Sequence, residues 1–134
     1  MEHKRRRVFL SYAQTDERYV RALINELPDV DVSGPAGPLA TASSDYIKRV
    51  IRSDIEGAGV TVVFLSDRAL RSPWVQWEVG ASQALGKPVI PILVEGEATA
   101  LPEWLTGIVF IDARGQPLGE VAKKLTEALS SAGH

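Results

Sequence analysis

Cysteine is absent from this chain of 134 residues, which excludes disulfides, thiolate zinc sites, iron–sulfur clusters and cysteine nucleophiles together. The absence also suits a reducing compartment. Histidine is nearly absent. His3 and His134 lie at the extreme ends, where chains fray, so no internal imidazole is on hand for a triad or a metal. No apolar run approaches the roughly 20 residues that span a bilayer, and the run after the basic N-terminus is too short for a signal-peptide core. Fifteen Lys and Arg against seventeen Asp and Glu leave a net charge of −2, so no cationic excess points to nucleic acid. The expectation is a cytoplasmic protein without a nucleic-acid or membrane partner. Any enzymatic chemistry is left to carboxylates, hydroxyls, backbone amides or a cofactor.

What is present reads as one globular domain over 1–134, since 45% of residues are apolar and 24% charged, close to the globular average. Lys4-Arg5-Arg6-Arg7 is the one dense basic run. Residues 1–7 read as a solvated tail leading into a strand, with a phosphate- or membrane-attracted arm as the alternative. Residues 130–134 read as a C-terminal tail. Val8-Phe9-Leu10 opens a first strand closed by Ser11-Tyr12, and a helix from about Asp16 places Val20, Leu23, Ile24 and Leu27 on one stripe. Thr15 or Asp16 can cap it, and Pro28 stops it. Asp29 to Val32 makes only a short strand. Residues 32–44 are uncharged and rich in Gly, Pro, Ala and Ser, which is loop chemistry.

Ser43 or Ser44 caps a second helix with Ile47, Val50, Ile51, Ile55 and Ala58 on its stripe, and Gly57 or Gly59 stops it. Val60 to Leu65, apolar except for Thr61, is a strand buried on both faces. Ser72-Pro73 opens a third helix through Trp74, Trp77, Ala81, Ala84 and Leu85 to Gly86. Strands at Val89–Val94 and Ile108–Ile111 follow, with Pro91 suggesting an edge or a bulge in the first of them. A last helix from near Pro117 carries Leu118, Val121, Ala122, Leu125, Ala128 and Leu129. Strands alternating with amphipathic helices imply an α/β fold, a flavodoxin-like five-stranded parallel sheet of order 2-1-3-4-5 with helices on both faces. Ligands in such sheets bind beyond the carboxyl ends of the strands, near the switch between the first and third. Those ends are Ser11-Tyr12, Val32-Ser33-Gly34 and Ser66-Asp67.

Fold alone does not assign function. The dinucleotide fingerprint G-x-G-x-x-G is missing after the first strand, and the P-loop signature is missing too. The first strand also ends without the acidic residues a magnesium-holding response regulator needs. Other blocks are specific when taken together: Val8-Phe9-Leu10-Ser11-Tyr12 with Asp16, Phe64-Leu65-Ser66, Ser72-Pro73-Trp74-Val75-Gln76-Trp77-Glu78, and Gly86-Lys87-Pro88-Val89-Ile90-Pro91-Ile92. In order and spacing they resemble the Toll/interleukin-1 receptor (TIR) domain family over nearly the whole chain.

The resemblance implies that residues 32–44 are the family's BB loop, which mediates assembly and gates the ligand cleft. Trp74 and Glu78 match the W-x-x-x-E pattern of TIR domains that cleave NAD+. It assigns Glu78 the catalytic carboxylate and Trp74 the cleft wall, with Ser11, Tyr12, Ser33 and Gly34 lining the nucleotide side. NAD+ is then the substrate rather than a cofactor, no metal or other cofactor is needed, and the expected partners are NAD+ and other TIR domains. The pattern departs from the family at Ala69, where a Tyr is usual, and at Val75, where a Cys is common.

Bland readings stand beside these. Trp74 and Trp77 have helix spacing and fit a core as well as a cleft. Glu78 fits a solvated or capping carboxylate, although a Glu among Ala, Val and Trp is the odd residue. Ser11-Tyr12 could simply end the strand, and Asp67, Arg68 and Arg71 read as surface charges. At the level of function, an NAD+ nucleosidase activated by self-association stands against a non-catalytic TIR scaffold and, third, a nucleoside-processing N-glycosidase. A substitution such as Gly34→Asp is expected to hurt turnover while leaving the fold intact.

Overall fold

Every residue of β3 (Val60–Leu65) is buried, because the strand lies in the middle of a five-stranded sheet covered on both faces. The computed structural model describes residues 6–34, 44–96, 105 and 110–132. Over these the chain runs β1 (Arg6–Ser11), a 3-10 turn (Gln14–Asp16), α1 (Glu17–Ile24), β2 (Val30–Ser33), α2 (Ser44–Gly57), β3, α3 (Asp67–Leu70), α4 (Pro73–Ala84), β4 (Val89–Leu93), β5 (Ile111–Asp112) and α5 (Leu118–Ala132). The strand order is β2-β1-β3-β4-β5 and each neighbouring pair is parallel. This is the doubly wound sheet expected from the alternating pattern. Among the described residues, no helix is long and apolar enough to cross a membrane.

The two-residue period of a strand sorts side chains between the faces. Val8, Leu10, Val60, Val62, Phe64, Ile90 and Ile92 pack with α1 and α5 through Val20, Leu23, Val121, Leu125 and Leu129. On the opposite face Phe9 meets Ile47, Ile51 and Ile55 of α2. Val63, Leu65 and Leu93 meet Val75 and Val79 of α4 on that same face. Each such aliphatic side chain contributes roughly 1.5–3 kcal/mol by leaving water.

Several boundaries differ from the sequence expectation, each for a local reason. Arg6 and Arg7 are not tail residues: they pair with Val30 and Asp31 in the sheet. The Arg6 guanidinium donates to the Leu129 carbonyl at 2.8 Å, serving an acceptor in the last turn of α5 that has no partner within the helix. Residues 1–5 lie outside the described residues. Likewise α5 continues to Ala132, so most of the expected C-terminal tail is helix. Helix α1 ends at Ile24, before Pro28, and its exit tightens through Glu26 N to Leu23 O and Leu27 N to Ile24 O, since the residue before a proline avoids helical geometry. Neither Gly57 nor Gly59 takes the left-handed conformation expected of a helix stop; Ala58 N closes on Asp54 O and Ile55 O, and Gly59 N crosses to Arg7 O.

Pro91 does not mark an edge strand, because β4 lies between β3 and β5. Pro88 O accepts from Thr61 N and Val94 N donates to Leu65 O, so even-numbered residues of β4 bond to β3. Pro91 turns its missing donor the other way, where described pairing with β5 begins only at Ile92. The expected fifth strand at 108–111 is displaced: β5 is Ile111–Asp112, Phe110 precedes it, and Ile108 and Val109 lie outside the described residues. The loop expected over 32–44 is narrower at its ends, since Val32 and Ser33 belong to β2 and Ser44 begins α2; residues 35–43 lie outside the described residues.

Gly34 follows β2 at φ +77°. A Cβ there would meet Leu10 O and the Phe9 ring at 2.7 Å. Both the positive φ and the approach to β1 therefore require glycine. The expectation that a side chain at Gly34 would spare the fold is thus overturned. Gly34→Ala should lower unfolding free energy by about 3 kcal/mol, combining left-handed strain with overpacking. Chemical denaturation measures it, and a loss below about 1 kcal/mol would contradict the close approach.

Candidate active site

Ser11 ends β1 and shares the parity of Phe9, so its hydroxyl points to the face covered by α2 and α4. Helix α4 is fixed at both ends. Ser72 caps it by accepting from Val75 N at 3.3 Å, with Pro73 in the first turn. At the other end Gly86 has φ +72°, Gly86 N donates to Gln83 O at 3.0 Å and Lys87 N to Ser82 O at 2.9 Å. That is a Schellman stop.

Between these ends the buried positions of α4 are Val75, Glu78, Val79 and Ser82. The expected stripe of Trp74, Trp77, Ala81, Ala84 and Leu85 is instead rotated away from the sheet. Trp77, Ala81 and Leu85 are partly buried against the α2 cluster, Ala84 is exposed, and Trp74 stands 41% exposed. The two indoles meet edge to face at 6.1 Å, and Lys48 Nζ lies 5.8 Å from the Trp77 ring centre.

Glu78 is 2% exposed. Its Oε1 accepts a hydrogen bond from Ser11 Oγ at 2.7 Å. One turn on, Ser82 Oγ donates to the Glu78 backbone carbonyl at 2.8 Å and lies 2.7 Å from Thr61 Oγ1; with its proton committed, Ser82 accepts from Thr61. Burial pushes the Glu78 carboxyl up from 4.5 to about 7, with the Ser11 hydrogen bond pulling the other way and no cation among the described residues contributing. Tyr12 is half-buried, edge-on to Phe64 at 6.3 Å. Its phenol is raised by burial first, then by Glu17, with Arg21 opposing and Glu78 adding. Glu78 is thus neither a solvated nor a capping carboxylate.

Of the residues expected at the site, the structure joins Ser11 to Glu78 directly and Tyr12 electrostatically. Trp74 occupies the first turn of α4, one turn before Glu78. Ser33 pairs with Phe9 and lines a different, open cavity of about 560 Å³ with Arg7, Asp31, Ser53 and Asp54. Gly34 packs on β1. Ser11 is fully buried and its hydroxyl is engaged with the carboxylate, so in this state it holds Glu78 rather than lining an open surface. Among the described residues, no cluster of acidic or imidazole side chains could hold a metal ion.

Sequence reading missed the short helix α3 and the bond from Ser66 Oγ to Asp16 Oδ2 at 2.5 Å, which ties the turn after β1 to the turn after β3. It also missed the Thr61–Ser82 pair. The available signal was polarity out of place: Thr61 alone in an apolar strand, and Glu78 and Ser82 four apart on one helix face.

The family profile of the TIR domain matches residues 8–130. The chain belongs to the TIR domain family. A Cytobacillus dafuensis protein provisionally named as a cyclic ADP-D-ribose synthase is 28% identical over 123 residues, 76% of this chain. The matched region is 32% of that relative, so this chain spans about a third of its length. Among solved structures, the TIR domain of the Toll-related receptor TRR-2 from Hydra magnipapillata aligns with TM-score 0.69 at 14% identity, over 95% of this chain and 98% of that one. The CMP N-glycosidase BcmB of Clostridium botulinum aligns with TM-score 0.67 at 23% identity, over 92% and 100%. At these identities the two structures show the shared fold of this TIR domain.

The buried carboxyl gives a pH signature. A folded value near 7 against an unfolded 4.5 means the folded state binds the proton more tightly. The stability is therefore complete below about 4.5 and is lost as pH rises through about 7. Its size is at most about 3 kcal/mol. Glu78→Gln keeps the shape and an acceptor for Ser11 and removes the buried charge. The variant should melt higher than wild type at pH 8 and nearly level with it at pH 4.5, as read by calorimetry. A Glu78→Gln protein less stable at pH 8 would refute burial without a countercharge.

Proposed function

We propose that this TIR domain breaks the nicotinamide–ribose bond of NAD+, with Glu78 as the working carboxylate and NAD+ as substrate rather than cofactor. The observation that carries this reading is Glu78 itself: a buried carboxylate with no cation beside it among the described residues, at the carboxyl end of β1, one turn after the exposed Trp74. The relative provisionally named as a cyclic ADP-D-ribose synthase supports it.

The chemistry suits one carboxylate. Nicotinamide in NAD+ is already a cationic leaving group, so it departs without a general acid. As the C–N bond breaks, its electron pair neutralises the pyridinium nitrogen and positive charge develops on the ribose ring. A carboxylate screened from water stabilises that charge far better than one in bulk solvent. Water or a second nucleophile then adds to the ribose carbon. Common glycosidases use two carboxyls because their leaving group needs a proton. Trp74, flat and exposed, offers a wall for an aromatic base.

Self-association belongs to the same proposal. Among the described residues the exposed large hydrophobic side chains are Val32, Tyr46 and Trp74. They lie at the end of β2 and in the first turns of α2 and α4, which share the carboxyl end of the sheet. Their exposure at that end supports a contact surface there, with a cleft completed or gated by a second copy.

Nicotinamide release, followed by chromatography, tests the reading. Cleavage should rise with pH through about 7 as Glu78 ionises, and specific activity should rise with protein concentration or forced clustering. Glu78→Gln, folded by circular dichroism, should lose about a hundredfold or more in rate. Equal rates would remove Glu78 from the mechanism. CMP assayed in parallel separates this activity from a nucleotide N-glycosidase, and a clustered wild type inert on both would leave the scaffold role.

A further inference from the structure

Glu78 offers a substrate only one free oxygen. Its Oε1 is taken by Ser11 Oγ at 2.7 Å. Its Oε2 accepts no hydrogen bond among the described residues. Tyr19 Oη is the fully buried side-chain atom without a partner among those residues, and Glu78 as a whole keeps 2% of its surface exposed. Ser11 itself is rigid, being fully buried in β1 and paired in register with Val63 of β3. We propose that Ser11 is the positioning residue of this site: its hydroxyl clamps Oε1, sets the rotamer of Glu78 and presents Oε2 alone toward the ribose.

The inference rests on the reading of Glu78 as the working carboxylate, and the clamp has an electrostatic consequence. A hydroxyl that donates to a carboxylate favours its ionised form. Burial alone opposes ionisation, and Ser11 is the group pulling it back. From β1, Tyr12 is the titratable neighbour that feels Glu78, while Glu17 and Arg21 of α1 act on Tyr12. From β3, Thr61 meets Ser82 rather than the carboxylate. Helix α4 supplies Val75, Val79 and Ser82 around Glu78 and no second charge on its buried face. Ser11 therefore sets where the carboxylate points and lowers the pH at which it is charged, against the larger opposing effect of burial.

The test compares pH profiles of kcat/KM for NAD+ cleavage. Ser11→Ala should move the acid limb upward by about one pH unit and lower kcat about tenfold with KM within about twofold. Ser11→Thr, which keeps the hydroxyl, should restore the limb. Thr61→Val, which removes the neighbouring buried hydroxyl, should leave it in place. A Ser11→Ala limb superimposed on wild type, or an equal displacement in Thr61→Val, overturns the proposal. Should Ser11→Ala fail to fold, Ser11→Cys makes the same comparison with a weaker donor. A second readout needs no turnover: NMR titration of carboxyl-labelled glutamate, the Glu78 signal identified by its loss in Glu78→Gln. If wild type does not cleave NAD+ the catalytic reading falls, yet a Glu78 midpoint higher in Ser11→Ala than in wild type still sustains the clamp. Coincident midpoints refute it.

Discussion

Glu78 gives up water without gaining a cation among the described residues, and the packing of α4 on the sheet is arranged around that constraint. A buried carboxylate with no opposite charge is among the least favourable groups in a protein interior, tolerated only when hydrogen-bonded or neutralised. Here both remedies operate: Ser11 donates to one oxygen, and the carboxyl holds its proton up to about 7. The arrangement extends one turn along the helix, where Ser82 meets Thr61. Two polar residues four apart on α4 thus meet two hydroxyls on adjacent strands, Ser11 of β1 and Thr61 of β3. Turning α4 by one residue, about 100°, would break both pairs and withdraw Val75 and Val79 from the sheet. Polar and apolar contacts therefore specify the same helix position, which is the consistency that defines a single native state.

This seam explains which parts of the protein were legible in the sequence. Strand parity and helix stripes were, because they depend on local spacing alone. Val8 and Leu10 against Phe9, and the stripes of α1, α2 and α5, fall on the faces their periods assign. Helix α4 misled because it packs in two directions. Its bulkiest residues, Trp74 and Trp77, suggested the core face, yet the sheet receives Val75 and Val79 and the indoles turn toward α2 or solvent. Size and aromaticity outweighed the smaller aliphatic residues in the sequence pattern, and no one-dimensional pattern records a helix wedged between a sheet and a neighbour.

The candidate site was legible in residue type and not in partnership. Glu78 is the one charged residue between Pro73 and Ala84. Ser11 lies at a strand end, where the sequence alone fits a ligand-lining role and simple termination equally. Its bond to a residue 67 positions away depends on how β1 and α4 cross, which is tertiary information. The stretch Ser66-x-x-Ala69-x-x-Ser72 shows the same division. Its serines proved to be the caps of two consecutive helices, Ser66 accepting from Ala69 N at 3.1 Å and Ser72 from Val75 N. Asp16 completes this turn by accepting from Ser66 instead of capping α1.

The tension between stability and chemistry is sharpest in the substrate's charge. Near neutral pH, Glu78 in the ligand-free domain lies close to its midpoint, so the fold carries part of the penalty of a bare carboxylate and escapes the rest by holding a proton. In the proposed reaction the substrate brings a positive charge to a buried carboxylate that has no cation beside it among the described residues. A cation arriving beside Oε2 supplies the missing countercharge, so binding shifts Glu78 toward its ionised form. As the glycosidic bond lengthens, the charge moves from the pyridinium onto the ribose, nearer the carboxylate. An arginine placed to pair with Glu78 would stabilise the free protein and spend that attraction before substrate arrived. That no cation among the described residues meets Glu78 then belongs to the same design as the clamp by Ser11: a neutral hydroxyl orients the carboxylate without satisfying its charge.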